Sequence, residues 1–317
     1  ILSALDVVLQ DGFMYAILAM GYYISYTILD FPDLTVEGTV VTGGVVFGLL
    51  VRAGVNPWLA IAAAFVVGFL CGTLTGVLHV RLGIRPLLCG ILVSTLLISV
   101  NLVVTVVGMG GSFAGDGALS TIDLGRSVPT ILRTKPATLL PTDFYGFNLR
   151  KLVTFFAVAL LFKLILDFYL KTKSGLLLRA TGGNAQYVTM LAKDARFYKT
   201  LGLAIGNGYA AVCGALIAQS RGNANQGMGV GMIVIGLASL IIGLSLFGRV
   251  RVIKPTTAVI LGSVIYQGCL GVATLLGVPS AYNKAIMAVL FTLALVLSGK
   301  FGKGNGGKKN AFVRTHL

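Results

Sequence analysis

The sequence predicts an all-α polytopic membrane protein, with about eight to ten transmembrane helices arranged as two inverted repeats that contain broken helices. Three observations predict it. The chain is 56% hydrophobic and only 11% charged, with 42 glycines and a mean hydropathy of +0.92, whereas charge takes roughly a quarter of the residues in a soluble domain. Apolar runs near the ~20 residues that a helix needs to cross the hydrocarbon follow one another almost end to end. The order of glycines, breaks and spans in residues 12–107 returns in residues 202–298. One transmembrane domain therefore occupies 1–298, with a basic tail at 299–317.

The first span, about 12–30, follows Asp6 and Asp11, which mark an interfacial start. It lacks the basic flank and small-residue cleavage site of a signal peptide. The segment Phe31-Pro-Asp-Leu-Thr-Val-Glu-Gly38 then interrupts the pattern. Proline removes a backbone donor, and the groups freed here need a cavity or packed protein around them. A short apolar piece at 39–51 and spans at 58–80 and 86–107 complete the first half, with the turn Leu82-Gly-Ile-Arg-Pro86 between the two spans. The loop 108–149 balances Arg126, Arg133 and Lys135 against Asp116, Asp123 and Asp143. After a span at 150–170 comes a long basic, helix-breaking loop, Lys171 to Lys199, and then spans at 199–219, 230–247, 256–277 and 283–298.

The two halves match in order. Gly12, Glu37-Gly38, an apolar piece, a span and a Leu-Gly turn in the first correspond to Gly202, Gln226-Gly227, an apolar piece, a span and Leu276-Gly277 in the second. If 31–53 crosses fully, an odd number of crossings separates the copies and they lie upside down to one another. Such a pair tends to place a solute pathway between its halves.

The net charge of +15 is distributed as a topology signal. Lys171, Lys173, Arg179, Lys193, Arg196 and Lys199 face one acid, Asp194, while Arg249, Arg251 and Lys254 fill another loop and the tail has no acid. Positive residues stay inside, so these segments and the C-terminus are expected in the cytoplasm and 108–149 outside. The basic faces carry no groove-reading or aromatic elements, which excludes a nucleic-acid partner.

Glu37 is the one glutamate in the chain. An ionisable group at a helix break in the membrane is a functional candidate by default, so Glu37 and Gly38 are candidate pathway residues. Glu37 is equally read as a carboxylate snorkelling to the headgroups or capping the helix that begins at Thr39. In the second half, Asn225, Gln226 and Gly227 lie in a polar, uncharged, glycine-rich stretch, Asn223 to Gly231. It suits a neutral or zwitterionic solute, or is a plain external loop. Gly68, Gly72 and Gly76 share one helix face, the spacing that lets membrane helices pack closely. Asn101, Asn207, Gln219 and Gln267 bond between helices or line the path, and Lys163 pairs or snorkels.

Catalysis finds no support. The histidines, His79 and His316, are far apart, and Cys71, Cys89, Cys213 and Cys269 are isolated within spans, which reads as small buried thiols without metal-ligand spacing. Gly302 to Lys308 resembles a phosphate loop, but Lys309 replaces the hydroxyl residue and no strand precedes it. The chain needs no cofactor of its own. Its work must come from an ion gradient or a partner, and the acids available for a coupling ion are few: Glu37, Asp30, Asp33 and Asp167.

The basic loop favours a partner. It reads Lys173-Ser-Gly-Leu-Leu-Leu-Arg-Ala-Thr-Gly-Gly-Asn184, followed by a stretch to Arg196 able to form a short helix with Asn184 as its cap. Here the chain resembles the permease subunits of bacterial ABC importers, in the family serving branched-chain amino acids, ribose and similar solutes. The resemblance runs through most of 1–300. It implies that Gly175, Arg179, Ala180, Gly182 and Asn184 belong to a cytoplasmic coupling pattern, continued through Asp194 and Arg196 into a helix that docks on the ATPase. It also implies two nucleotide-binding (ATPase) subunits holding Mg-ATP, an extracytoplasmic solute-binding protein, a second permease copy as homodimer, and a location in the bacterial inner membrane among its lipids. The Pro32–Gly38 version resembles a subgroup associated with tryptophan or other aromatic amino acids. Phe113, Asp116 and Asp123 then offer a docking face for the binding protein, or form a bare hairpin. The competing expectation is a secondary carrier or channel that works unaided with Glu37 as proton site.

Overall fold

The computed structural model describes residues 2–110, 121–125, 130–133, 148–183, 188–189, 194–248, 250, 253–277 and 282–303. In order, the helices are α1 (Leu2–Tyr22), α2 (Val36–Arg52), α3 (Pro57–Val80), α4 (Pro86–Gly108), α5 (Leu149–Tyr169), α6 (Lys173–Gly183), α7 (Ala195–Arg221), α8 (Met232–Phe247), α9 (Pro255–Leu275) and α10 (Asn283–Lys303). Among the described residues, seven helices are long and apolar enough to cross a membrane, and α2 is a shorter, 17-residue piece. The chain is an all-α, multi-pass membrane protein. Among the described residues the strands form one two-stranded antiparallel ladder, β1 (Thr121–Asp123) with β2 (Asn223–Asn225).

Local chemistry sets the boundaries. Proline opens α3, α4 and α9, where its missing N–H would have no intrahelical partner anyway. The Asn56 side chain accepts from the Trp58 N–H to cap α3. Helix α7 stops at Gly222, whose φ of 76° is the left-handed cap that glycine adopts without strain.

Two boundaries differ from the sequence expectation. Within the basic stretch 171–199, the described residues 173–183 and 195–199 are helical rather than loop. Its first half is α6 and its last residues are the first turn of α7, because Leu176, Leu177 and Leu178 with Ala180 outweigh the glycines, and Gly175 and Gly182 serve as close contacts rather than breaks. Asp6 and Asp11 do not precede the first span but lie inside α1. There Asp6 Oδ2 accepts the N–H of Asn148 at the start of α5.

Helix α7 is the hub, buried along nearly its whole length. Helix α3 lies antiparallel on it through Gly76 against Thr200, Gly72 against Leu203 and Asn207, and Gly68 against Asn207 and Ala211. The predicted glycine stripe is therefore an intrachain seam. Helix α1 crosses α7 at Gly21–Gly206 and lies antiparallel on α9, with Val8 by Gly271 and Gly12 by Val264. Helix α2 runs parallel to α4, Gly38 by Leu97 and Leu49 by Gly108. The outer faces of α4 and α5 expose Leu88, Leu92, Leu96, Phe156, Leu160, Leu164 and Phe168, an inversion of the soluble pattern that fits a lipid surround.

These registers sort the loops to two ends. One end gathers the last turns of α1, α3 and α5 and the first of α4, α7 and α9, with Arg81, Arg85, Lys171, Lys173, Lys199 and Lys254. The other gathers the ends of α2, α4 and α7, the start of α5 and the β ladder. We call them the basic end and the opposite end.

The α3–α7 seam leaves no room for a side chain at Gly72. Gly72→Leu should destabilise the fold by about 1–3 kcal/mol or more, seen as a lowered unfolding temperature in detergent. Gly183→Ala, where a Cβ meets open space, should leave that temperature unchanged.

Candidate functional site

Helix α1 ends in a π-helical stretch, Tyr23–Ile28, closed by Leu29 N–H to the Ile24 carbonyl and Phe31 N–H to the Ser25 carbonyl. Asp30 then takes φ 53°, a left-handed conformation costly for a residue with a Cβ. Pro32 follows with no N–H to donate. The chain turns back along α4, Leu34 packing on Gly90, and restarts as α2.

Asp33 makes the restart possible. Its Oδ1 accepts the Thr35 N–H at 2.9 Å, and its Oδ2 accepts Asn207 Nδ2 of α7 at 2.6 Å. Thr39 donates to Asn207 Oδ1 at 2.8 Å, the Thr35 and Thr75 hydroxyls share a bond at 2.9 Å, and the Tyr22 hydroxyl reaches the Asp33 carbonyl. Asp33 and Asn207 are 2% and 0% exposed, so this network is sealed from solvent. It ties the break to α1, α3 and α7. A carboxylate buried this deeply is tolerable because donors surround it.

The second break runs from Gly222 to Gly231. Asn223–Asn225 pair with β1, with Asn225 opposite Thr121, and the 3-10 turn Gln226–Gly229 follows. Gln226 Nε2 donates to the Ile98 carbonyl of α4 at 3.0 Å. Gly229 sits against the Glu37 carbonyl, and the Gly231 N–H, heading α8, donates to Glu37 Oε1 at 3.0 Å. Asn101 Nδ2 donates to the Gly38 carbonyl at 3.2 Å. Ile98 lies twelve residues into the 23-residue α4, about 18 Å along it. The first turn of α2 and the second break thus meet halfway along the spanning helices, while the first break itself lies nearer the basic end, by Pro86 and Gly90 of α4.

The structure brings Glu37, Gly38, Gln226 and Gly227 together, with Gly227 exposed and Glu37 and Gln226 half-buried. Asn225 stays in the ladder on the opposite end's side. Glu37 lies in the first turn of its own helix, α2, and its Oε1 also caps α8, from the other half of the chain. The segment 223–231 is not a plain external loop, since it descends to mid-helix. Each restarting helix, α2 and α8, therefore carries an acid at its positive end, Asp33 for one and Glu37 for the other.

At the basic end, Gly175 packs on the Tyr169 carbonyl and Gly182 on the Ile28 carbonyl, with Leu178 against Gly202. These contacts seat α6 beneath the end of α1 and the start of α7. Arg179 and Ala180 are half-buried, and the Arg179 Nε has no partner among the described residues. Asp194 caps α7 by accepting the Arg196 N–H at 2.9 Å, and Arg196 is exposed. Asn184 lies outside the described residues, as does most of 184–193. Phe113, Asp116 and the tail beyond 303 also lie outside them.

Sequence reasoning missed the Asp33–Asn207 pair as a unit; the Asp-x-Thr spacing of an Asx turn was its one signal. It also missed that Asp167 joins Lys163, Lys254 and Thr256 at 3.2, 3.3 and 2.6 Å, fastening α5 to α9. Lys163 and Asp167, four apart, are a helix pair. Asn101, Asn207 and Gln219 bond between segments, whereas Cys269 is exposed rather than buried.

A chain built of spanning helices, with two restarts facing each other at mid-depth through polar contacts, has the architecture of a transport permease. It belongs to the family described as the permease component of branched-chain amino acid transport systems, matched over residues 4–295. It is 33% identical over 298 residues to the tyrosine transport system permease protein of Clostridioides difficile (strain R20291), covering 94% of this chain and 92% of that one. It is 30% identical over 304 residues to an uncharacterised protein of Rickettsia prowazekii (strain Madrid E), covering 93% and 97%. No solved structure matches the chain.

Asn207→Leu should leave the Asp33 carboxylate short of a donor and cost at least about 2 kcal/mol, read as a lower unfolding temperature. Asp33→Asn paired with Asn207→Leu should recover part of that loss.

Proposed function

We propose that this chain is the permease subunit of an ATP-driven ABC importer that moves an amino acid, of the aromatic class, inward by alternating access. The family and the tyrosine-transport relative support the solute class. The observation that carries the reading is the pairing of the Glu37 carboxylate with the first N–H of α8 at mid-depth. An anionic group and a helix N-terminus held side by side complement a zwitterion: its ammonium faces the carboxylate and its carboxylate faces the freed backbone donors. Gln226 and the exposed Gly227 flank that pair.

The partners follow from the same reading: two ATPase subunits carrying Mg-ATP, a solute-binding protein, and a second copy as homodimer. The basic end is cytoplasmic, with the C-terminus, and the membrane is the bacterial inner membrane. The halves 12–107 and 202–298 are inverted repeats. In support, α1 lies antiparallel on α9 and α7 lies antiparallel on α3, the exchange of corresponding helices that an in-plane two-fold axis requires. Helix α6 with Gly175, Arg179, Ala180 and Gly182, and the segment from Asn184 to Arg196, receive the ATPase stroke. Because α6 rests on the end of α1 and α7 begins at Asp194, a push there moves the two helices that hold the first break.

Reconstituted with ATPase and binding-protein subunits, the chain should give ATP-dependent uptake of labelled aromatic amino acid, and alone none. Flux driven by an ion gradient through the chain alone would overturn the reading. Glu37→Gln should raise the KM for uptake at least about tenfold, one lost charge-assisted contact, with assembly intact. Gly182→Leu should uncouple, leaving ATP hydrolysis without uptake.

A further inference from the structure

At the opposite end, away from the helix restarts, a cleft of about 280 Å³ is lined by Thr130, Asn148, Arg150, Lys151, Gln219 and Arg221. Gln219 is 6% exposed. Its Oε1 accepts the Ile131 N–H at 3.0 Å, but its Nε2 is buried with no partner among the described residues. An amide donor stranded in this way bears its full desolvation cost, and buried donors are satisfied in native proteins by protein, water or a bound ion. Here the surroundings favour an anion. Lys151 and Arg221 bring two cations to the same cleft, and the first turn of the 21-residue α5 opens beside it.

Two acids of α1 lie nearby. Asp6 takes the Asn148 N–H on Oδ2, its Oδ1 having no partner among the described residues, and Asp11 lies near Arg221 and Lys151; neither lines the cleft. Arg221 also donates to the Tyr15 hydroxyl at 3.2 Å, which fixes its direction.

We propose that this cleft binds an oxyanion of the phosphate class, taken by the Gln219 amide, Lys151 and Arg221. The source that its position favours is the headgroup phosphate of a membrane lipid, because the cleft sits at the outer turn of α5, whose following turns expose Phe156, Leu160 and Leu164 to the hydrocarbon. A phosphate here would clamp the β1 loop, α5 and the end of α7, from which the second break descends. The site stands independently of the solute assigned above.

The test uses the full chain in detergent. Native mass spectrometry with phosphatidylglycerol, and equilibrium dialysis with labelled inorganic phosphate, compare wild type with Gln219→Glu and Lys151→Gln. Gln219→Glu keeps the acceptor for Ile131 and replaces the donor by a repelling charge; its unfolding temperature verifies folding. One retained phosphatidylglycerol in wild type, weakened at least about tenfold in both variants, establishes the lipid headgroup as occupant. The same pattern with inorganic phosphate alone establishes a free anion. Equal retention in folded variants, or no anion bound by wild type, overturns the proposal. Loss of binding-protein docking in the variants with no phosphate bound by wild type assigns the cleft to a protein carboxylate and also overturns it.

Discussion

Interrupting a helix inside a membrane frees backbone donors and acceptors that lipid cannot satisfy, and this constraint shapes most of what surrounds the two breaks. At the first, Asp33 takes the Thr35 N–H while Asn101 supplies the Gly38 carbonyl. At the second, Glu37 takes the Gly231 N–H and Gln226 reaches Ile98. Each solution borrows a group from another segment. The breaks therefore cannot be packed independently, and Glu37 literally joins them.

That joining explains the burial of α7. It carries Asn207, which holds the first break, ends at Gly222 where the second begins, and starts at Asp194 next to α6. Glycines on α3, at Gly68, Gly72 and Gly76, let it sit close enough for Thr75 of α3 to meet Thr35. Helix α7 thus touches the first break at its middle, the second at its C-terminal end and the basic end at its start. The Asp167 cluster fastens α5 to α9, and α5 meets α7 where the Tyr209 hydroxyl donates to the Phe162 carbonyl.

The membrane class, the spans and the positions of the breaks were legible because hydropathy, proline and glycine act locally. The pairing of Glu37 with Gly231 was not, since it joins residues 194 apart that share no periodicity. Nor was the α6 helix: its glycines look like breakers in sequence and become contact points only when the carbonyls of Ile28 and Tyr169 are seen against them. The glycine stripe on α3 was legible as a packing face, but only the fold could say that its partner is α7. Gln219 and Asn207 looked alike as buried polar residues. One proved fully bonded and the other half-bonded, a difference set entirely by tertiary neighbours.

All of this rests on the restart of α2 and the second break meeting halfway along the spanning helices. Cysteines placed at Ile98 and Gln226, in a background with the four native cysteines replaced, test it by oxidative cross-linking in native membranes. An intramolecular disulfide as efficient as that of a Thr121/Asn225 control pair across the β ladder is expected. Efficient control cross-linking with none between 98 and 226 would contradict it, leaving 222–231 as a surface loop.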